Sequence, residues 1–166
     1  KVLDLGCGAG TLLAALVAER RAKAVGIELD AELAQQCLAQ GLSVYQGPLE
    51  EALQDYPPAH FDVVVLNQTL QATQRPLAVL HAMRRVGRRV VVGFPNFGHW
   101  EIRANLFATG RMPSSRTLPY SWYDTPNIHL FTIRDFQALC REQGFAVVNF
   151  DYQLFGQWIR QEPWPG

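Results

Sequence analysis

The sequence is short of cysteine, of net charge and of long apolar runs, and each shortage removes a class of protein. Its 166 residues hold three cysteines, Cys7, Cys37 and Cys140, odd in number and widely spaced. That pattern offers neither a disulfide framework nor a thiolate metal site, and a reducing, cytoplasmic compartment is the expectation. The four histidines, His60, His81, His99 and His129, nowhere pair at helical ligand spacing, so no metal is expected. Fifteen basic residues balance fifteen acidic ones. Nucleic acid and anionic membrane surfaces call for a basic excess that is missing here. No apolar run approaches the roughly 18–20 residues of a membrane span, and no signal peptide, internal repeat or low-complexity stretch is visible.

What is present suits one globular domain: 48% hydrophobic and 18% charged residues, at a length that buries a sizeable core. The chain opens at Lys1 already inside a strand and without a methionine, so a preceding piece is expected to have been trimmed. Strand and helix then alternate. Residues 1–5 read as a strand, Ala9 to about Arg20 as a helix, 24–29 as a strand, and Ala31–Gln40 as a helix closed by Gly41. Ser43–Gln46 is a third strand broken by Gly47-Pro48, and Phe61–Asn67 a fourth, β-branched enough to be covered on both faces. A helix from Pro76 to about Arg85 and a strand over Arg89–Phe94 follow. The cluster Arg84, Arg85, Arg88 and Arg89 reads as a helix C-terminus, where cations are favoured, rather than a phosphate patch. This alternation predicts an α/β, Rossmann-like fold, a mostly parallel twisted sheet with helices on both faces. Residues 95–129 interrupt it with Pro, Gly, Asn and aromatics. A capping box, Thr132 with Asp135, then starts a last helix, and a sixth strand runs from Ala146 to about Leu154. No seventh strand is visible, so a final strand is expected to be missing. The whole of 1–166 is expected to form a single domain with an insertion at about 95–129.

The chemistry concentrates at the start. Asp4-x-Gly6-x-Gly8-x-Gly10 links the first strand to the first helix. Glycines let the backbone turn tightly and approach a ligand, and a helix start offers free N–H groups. The dinucleotide fingerprint is not met, because Thr11 stands at its third glycine. Asp4 suits a cationic ligand better than a pyrophosphate, which it would repel. Glu28, 18 residues after Gly10, ends the second strand where an acid can accept both ribose hydroxyls. The stretch looks like the S-adenosylmethionine loop of class I methyltransferases. A tight strand–helix turn without a ligand is the alternative.

Several later stretches are more specific: Asn67-Gln68-Thr69-Leu70-Gln71-Ala72-Thr73, Gly93-Phe94-Pro95-Asn96-Phe97-Gly98-His99-Trp100, Gly110-Arg111-Met112-Pro113, and Leu118-Pro119-Tyr120-x-Trp122-Tyr123-Asp124-Thr125-Pro126-Asn127-Ile128-His129. With them the whole chain resembles the MetW family of methionine-biosynthesis proteins, within the methyltransferase superfamily. The resemblance implies a class I methyltransferase fold and a role beside homoserine O-acyltransferase. It also implies S-adenosylmethionine or S-adenosylhomocysteine as cofactor, held by Asp4, Gly6, Cys7, Gly8, Gly10, Glu28, Leu29, Leu49, Asn67 and Gln68. Pro48 departs from the pattern. It stands where an Asp would take the adenine amino group, and it has neither a carboxylate nor a backbone N–H.

Methyl transfer from a sulfonium is a direct displacement that the protein mainly aligns. No catalytic residue is therefore assigned; His99, Tyr123 and His129 are candidates, and for His129 a bond to a loop carbonyl is the simpler role. Asp62 is read as a strand-end residue away from the ligand. The interruption supplies Phe97, His99, Trp100, Arg103, Arg111, Tyr120, Trp122 and Tyr123 as a substrate or partner surface, with internal packing as the competing role. Three functions fit: a cofactor-binding partner of the acyltransferase, a catalytic small-molecule methyltransferase, and a scaffold with a degenerate cofactor site.

Overall fold

A computed structural model describes residues 1–114, 118–154 and 157–161, with backbone alone at 153–154 and 157–161. The expectations at 115–117 and 162–166 lie outside the described residues. The chain divides into two compact units, one holding residues 1–95 and the described part of 116–129, the other 96–114 and 130–161.

The first unit is an open parallel sheet. Val2–Leu5 (β1) pairs with Ala24–Glu28 (β2) on one side and Phe61–Asn67 (β4) on the other. Val44–Gln46 (β3) adds beyond β2 and Gly87–Gly93 (β5) beyond β4, in the order β3-β2-β1-β4-β5. The chain thus builds outward from β1 on one side and then returns to build on the other. The point where the order reverses lies between β1 and β4, and such a switch point opens a crevice at the carboxyl ends of the strands. One face of the central strands is sealed: Leu3, Leu5, Ile27, Val64 and Leu66 share it by register and have no exposed surface, whereas Val63 and Val65 on the other face of β4 are half-buried, so the expected cover on both faces of β4 is incomplete.

The helices dock with apolar stripes. Thr11–Arg20 (α1) inserts Leu13 among Cys7, Ala24, Cys37 and Leu42. Ala31–Ala39 (α2) starts at Asp30, whose carboxylate accepts the Glu32 and Leu33 amides, and ends before Gly41 in the left-handed region. Pro76–Val86 (α4) buries Val79, Leu80, Met83 and Val86. Its Arg84 and Arg85 occupy the last turn, as the sequence suggests. Arg88 and Arg89 lie instead on β5. Arg85 donates to the Leu53 and Tyr56 carbonyls, tying α4 to the end of Leu49–Gln54 (α3).

Several elements differ from the sequence reading, β5 among them, which runs over Gly87–Gly93 rather than Arg89–Phe94. α1 starts at Thr11 rather than Ala9 because Gly10 is left-handed, with φ 82°, and cannot continue the helix. α3 replaces an unassigned stretch: Pro48 at φ −63° caps it, so the proline that stops β3 also starts a helix. A seventh strand exists. Gln157–Gln161 (β7) pairs antiparallel with Phe150–Leu154 (β6), so the expectation of a missing final strand is corrected. β6 begins at Phe150 rather than Ala146 because its ladder starts opposite Gln161. In the second unit, Trp100–Thr109 (α5) gives the expected interruption a helix, and Ile133–Glu142 (α6) starts with the Thr132–Asp135 capping box in place.

Leu66→Ala removes a fully buried side chain from β4. It is expected to cost about 2–5 kcal/mol, read as a lowered urea midpoint with unchanged slope.

Candidate functional site

The glycine loop folds across the tips of β1 and β2. The Gly6 and Cys7 amides both donate to the Ile27 carbonyl, at 2.8 and 3.2 Å. Gly8 then turns its N–H onto Glu28 Oε2 at 2.7 Å, while Glu28 Oε1 accepts the Asp30 amide at 3.0 Å. Two glycines are required by space as well as by their positive φ. A Cβ on Gly6 would lie 2.5 Å from Thr69 Oγ1, and one on Gly10 would lie 2.7 Å from Leu42 and 2.8 Å from Cys37 Sγ. Gly8, at φ 57°, has nothing within 4 Å of such a Cβ, so the loop is open there. The Cys37 thiol donates to the Gly8 carbonyl at 3.2 Å from behind. Burial pushes the Cys7 thiol up to about 12, with the neighbouring Cys37 thiol as the next cause. Cys7 is therefore a packing thiol and not a nucleophile.

Asp4 stands beneath the loop, 2% exposed, in register with Gly26 and Val65. Its carboxyl accepts no hydrogen bond from the described residues. Burial raises its pKa from 3.8 to about 6, and the nearby Glu28 carboxylate adds to the rise. A cation brought beside Asp4 and Glu28 would reverse both effects.

The expected cofactor residues fall on one edge of the sheet. Asp4, Gly6, Cys7, Gly8, Gly10 and Glu28 cluster at the tips of β1 and β2, and Leu29 follows Glu28 with 67% of its surface exposed. Leu49 opens α3 beyond β3. Asn67 ends β4 with its side chain turned toward β5, since Asn67 Oδ1 would meet a Cβ on Gly93. Gln68 is held left-handed at φ 56° by its bond to the Gly93 carbonyl. Sequence reading missed Thr69, Gln71, Cys37 and Leu42. The signal for the last two was the third glycine itself, which implies bulk behind it.

The expected substrate or partner surface is divided between the two units. Tyr120, Trp122 and Tyr123 belong to the first, where Trp122 and Tyr123 are 74% and 75% exposed; the catalytic candidate His129 lies in the same unit, half-buried. Phe97, His99, Trp100, Arg103 and Arg111 belong to the second. There His99 Nδ1 lies 3.8 Å from a Glu101 carboxylate oxygen. Trp100, Arg103, Ala104 and Phe107 line a shallow concavity of about 550 Å³ along α5. Another of about 430 Å³, lined by Lys1, Lys23, Ala24, His60 and Phe61 among others, sits at the amino ends of β2 and β4, away from the glycine loop. Asp62 lies at that end too, as expected.

The family profile described as methionine biosynthesis protein MetW matches residues 1–162. The chain belongs to the MetW family. A bifunctional methionine biosynthesis protein MetXA/MetW of Rhodopirellula baltica is 35% identical over 171 residues, covering 98% of this chain and 27% of that protein. A ubiquinone biosynthesis O-methyltransferase of Methylococcus capsulatus is 38% identical over 93 residues, 53% of this chain and 39% of that protein. The chain thus spans well under half of either relative. Among solved structures, a SAM-dependent methyltransferase from Archaeoglobus fulgidus superposes with TM-score 0.66 at 17% identity, over 86% of this chain and 59% of that one. One from Thermotoga maritima, described as a possible histamine N-methyltransferase, superposes with TM-score 0.64 at 16% identity, over 99% of this chain and 76% of that one. These identities establish the fold alone: the chain has a Rossmann-like methyltransferase fold. No helix among the described residues is long and apolar enough to cross a membrane.

Because the folded pKa of Asp4 is raised, protonated Asp4 favours the fold at low pH, and that support is lost as pH rises through about 6. The rise from 3.8 corresponds to about 3 kcal/mol. Asp4→Asn is therefore expected to melt higher than wild type at pH 7–8 and alike at pH 4, as read by thermal melts across that range.

Proposed function

We propose that this MetW chain binds S-adenosylmethionine, or its product S-adenosylhomocysteine, at the carboxyl edge of its sheet and serves methionine biosynthesis beside homoserine O-acyltransferase. The observation that carries the cofactor reading is the Asp4–Gly8–Glu28 arrangement: an open left-handed glycine beside two buried, mutually repelling carboxylates. The sulfonium and ammonium of the cofactor supply the missing positive charge beside Asp4. Glu28 has lone pairs left after binding the Gly8 and Asp30 amides, enough to accept ribose hydroxyls. Leu29, Leu49, Asn67 and Gln68 frame the adenosyl group. When bound, the cofactor supplies an electrophilic methyl group, and the chain's part is to orient it.

The partner reading is supported by the relative that carries MetXA and MetW in one polypeptide. The surface that fits it is α5, where Phe107 is 94% exposed and Trp100 54%, with Arg103 between them on the same stripe. A second reading, a catalytic small-molecule methyltransferase, is favoured by the ubiquinone O-methyltransferase relatives, which match from 49% to 90% of the chain.

Calorimetry with S-adenosylmethionine and S-adenosylhomocysteine tests the cofactor reading; no heat and no thermal shift with either sinks it. Glu28→Ala, shown to remain folded, is expected to weaken binding by about 1.5–3 kcal/mol. Pro48→Asp restores a side-chain acceptor beside the adenine and is expected to tighten adenosyl binding. Unchanged affinity would show that the base is held elsewhere. Co-purification with the acyltransferase tests the partner reading. Arg103→Ala and Phe107→Ala are expected to lose the partner, and Trp122→Ala, on the other unit, reports whether residues 118–129 take part.

A further inference from the structure

Among the described residues, two side-chain atoms in the first unit, Gln71 Oε1 and His129 Nε2, are sealed from solvent and have no hydrogen-bond partner. Buried polar atoms are almost always paired, and an unpaired one destabilises the arrangement that buries it. Gln71 is 4% exposed and its amide nitrogen donates to the Gln68 carbonyl at 2.8 Å, so its oxygen alone is left over. The two residues are neighbours. The Gln71 backbone carbonyl accepts the amides of Ile128 at 2.9 Å and His129 at 3.0 Å. That contact fastens residues 118–129 onto the turn Leu70–Ala72 that follows β4. The same turn borders the glycine loop, because Thr69 fills the space beside Gly6. Between 121 and 127 the Asp124 amide donates to the Ser121 carbonyl and the Asn127 amide to Thr125 Oγ1, both local turns.

We propose that residues 118–129 are a gate over a polar subsite beside the glycine loop, and that the subsite takes the hydroxyl group of a second small ligand between Gln71 Oε1 and His129 Nε2. The proposal rests on the reading of that loop as the cofactor site and names the chemistry of what binds next to it. Gln71 Oε1 only accepts, whereas an imidazole Nε2 donates in one tautomer. A single hydroxyl donates to the first and accepts from the second, so one oxygen settles both orphans. A carboxylate would set acceptor against acceptor at Gln71. An ammonium suits only the opposite tautomer of His129. With both atoms sealed, the ligand enters by lifting the gate, and closure over a hydroxyl removes the penalty that closure over nothing carries. A resident water has the same donor and acceptor pattern and is the competing occupant.

The test uses the full chain saturated with S-adenosylhomocysteine and titrated calorimetrically with matched pairs: L-homoserine against L-2-aminobutyrate, and L-serine against L-alanine. Each pair differs by the hydroxyl. The hydroxylated member of at least one pair is expected to bind about tenfold tighter or better. His129→Phe is expected to abolish that discrimination and leave S-adenosylhomocysteine affinity within about twofold; Gln71→Met, which also frees the Gln68 carbonyl, is expected to abolish the discrimination, and His129→Phe keeps the test open should Gln71→Met not fold. His129→Phe is also expected to melt at or above wild type, since it removes an orphan, whereas loss of a resident water would lower its melting temperature and overturn the proposal. Equal binding within both pairs, or no binding of either, in protein that does take S-adenosylhomocysteine overturns the subsite alone. Failure of wild type to take S-adenosylhomocysteine overturns the cofactor reading instead, and the pairs titrated into unliganded protein then decide the subsite by the same criterion.

Discussion

The Glu28 carboxylate takes the Gly8 amide on one oxygen and the Asp30 amide on the other, and most of the candidate site follows from those two bonds. The first curls the glycine loop back over the end of β2. The second sets the direction in which the chain leaves β2, so that Asp30 can cap α2. Charge-assisted bonds of this kind are stronger than neutral ones, and here they are nearly out of water, with Glu28 9% exposed. α2 in turn brings Cys37 up behind Gly8 and Gly10, which closes the loop from the rear. What remains open is the front of Gly8 and the uncapped start of α1.

Asp4 works against stability in the same place. The parallel register holds it between Gly26 and Val65 in the middle of the sheet, where burial and the neighbouring Glu28 disfavour its charge. An asparagine of the same shape would fit the fold better above about pH 6. Gln68 is a second local conflict, a non-glycine residue held left-handed at the end of β4. Conflicts of this kind gather where a chain serves something other than its own folding. Both lie at the carboxyl edge on either side of the switch point, where ligands of open α/β sheets bind.

The open front of Gly8 and the exposed aromatics lie in different parts of the chain. The MetW profile runs through all of them, over residues 1–162. The aromatics themselves divide between the two units, Phe107 on α5 in one and Trp122 and Tyr123 on the segment 118–129 in the other. Large apolar side chains left in water at this density mark surfaces that meet something else.

Sequence alone determined the sheet strands β1 to β5, the helices α1, α2, α4 and α6, and the loop residues Asp4 to Gly10 with Glu28. Their signals are local: apolar periodicity, left-handed glycines, and caps such as Thr132 with Asp135. It failed where a signal points two ways or comes from afar. Pro48 both ends a strand and starts a helix, so α3 was invisible. β7 is five residues with little apolar pattern, and it exists because β6 offers it a ladder. The tertiary structure decided how the interruption divides between two units, and it brought Thr69 against Gly6 and His129 against Gln71, 63 and 58 residues apart in the chain. It also decided that Asp4 is buried close to Glu28. Burial, pairing and charge proximity are sums over residues distant in the chain, and no local window of sequence contains them.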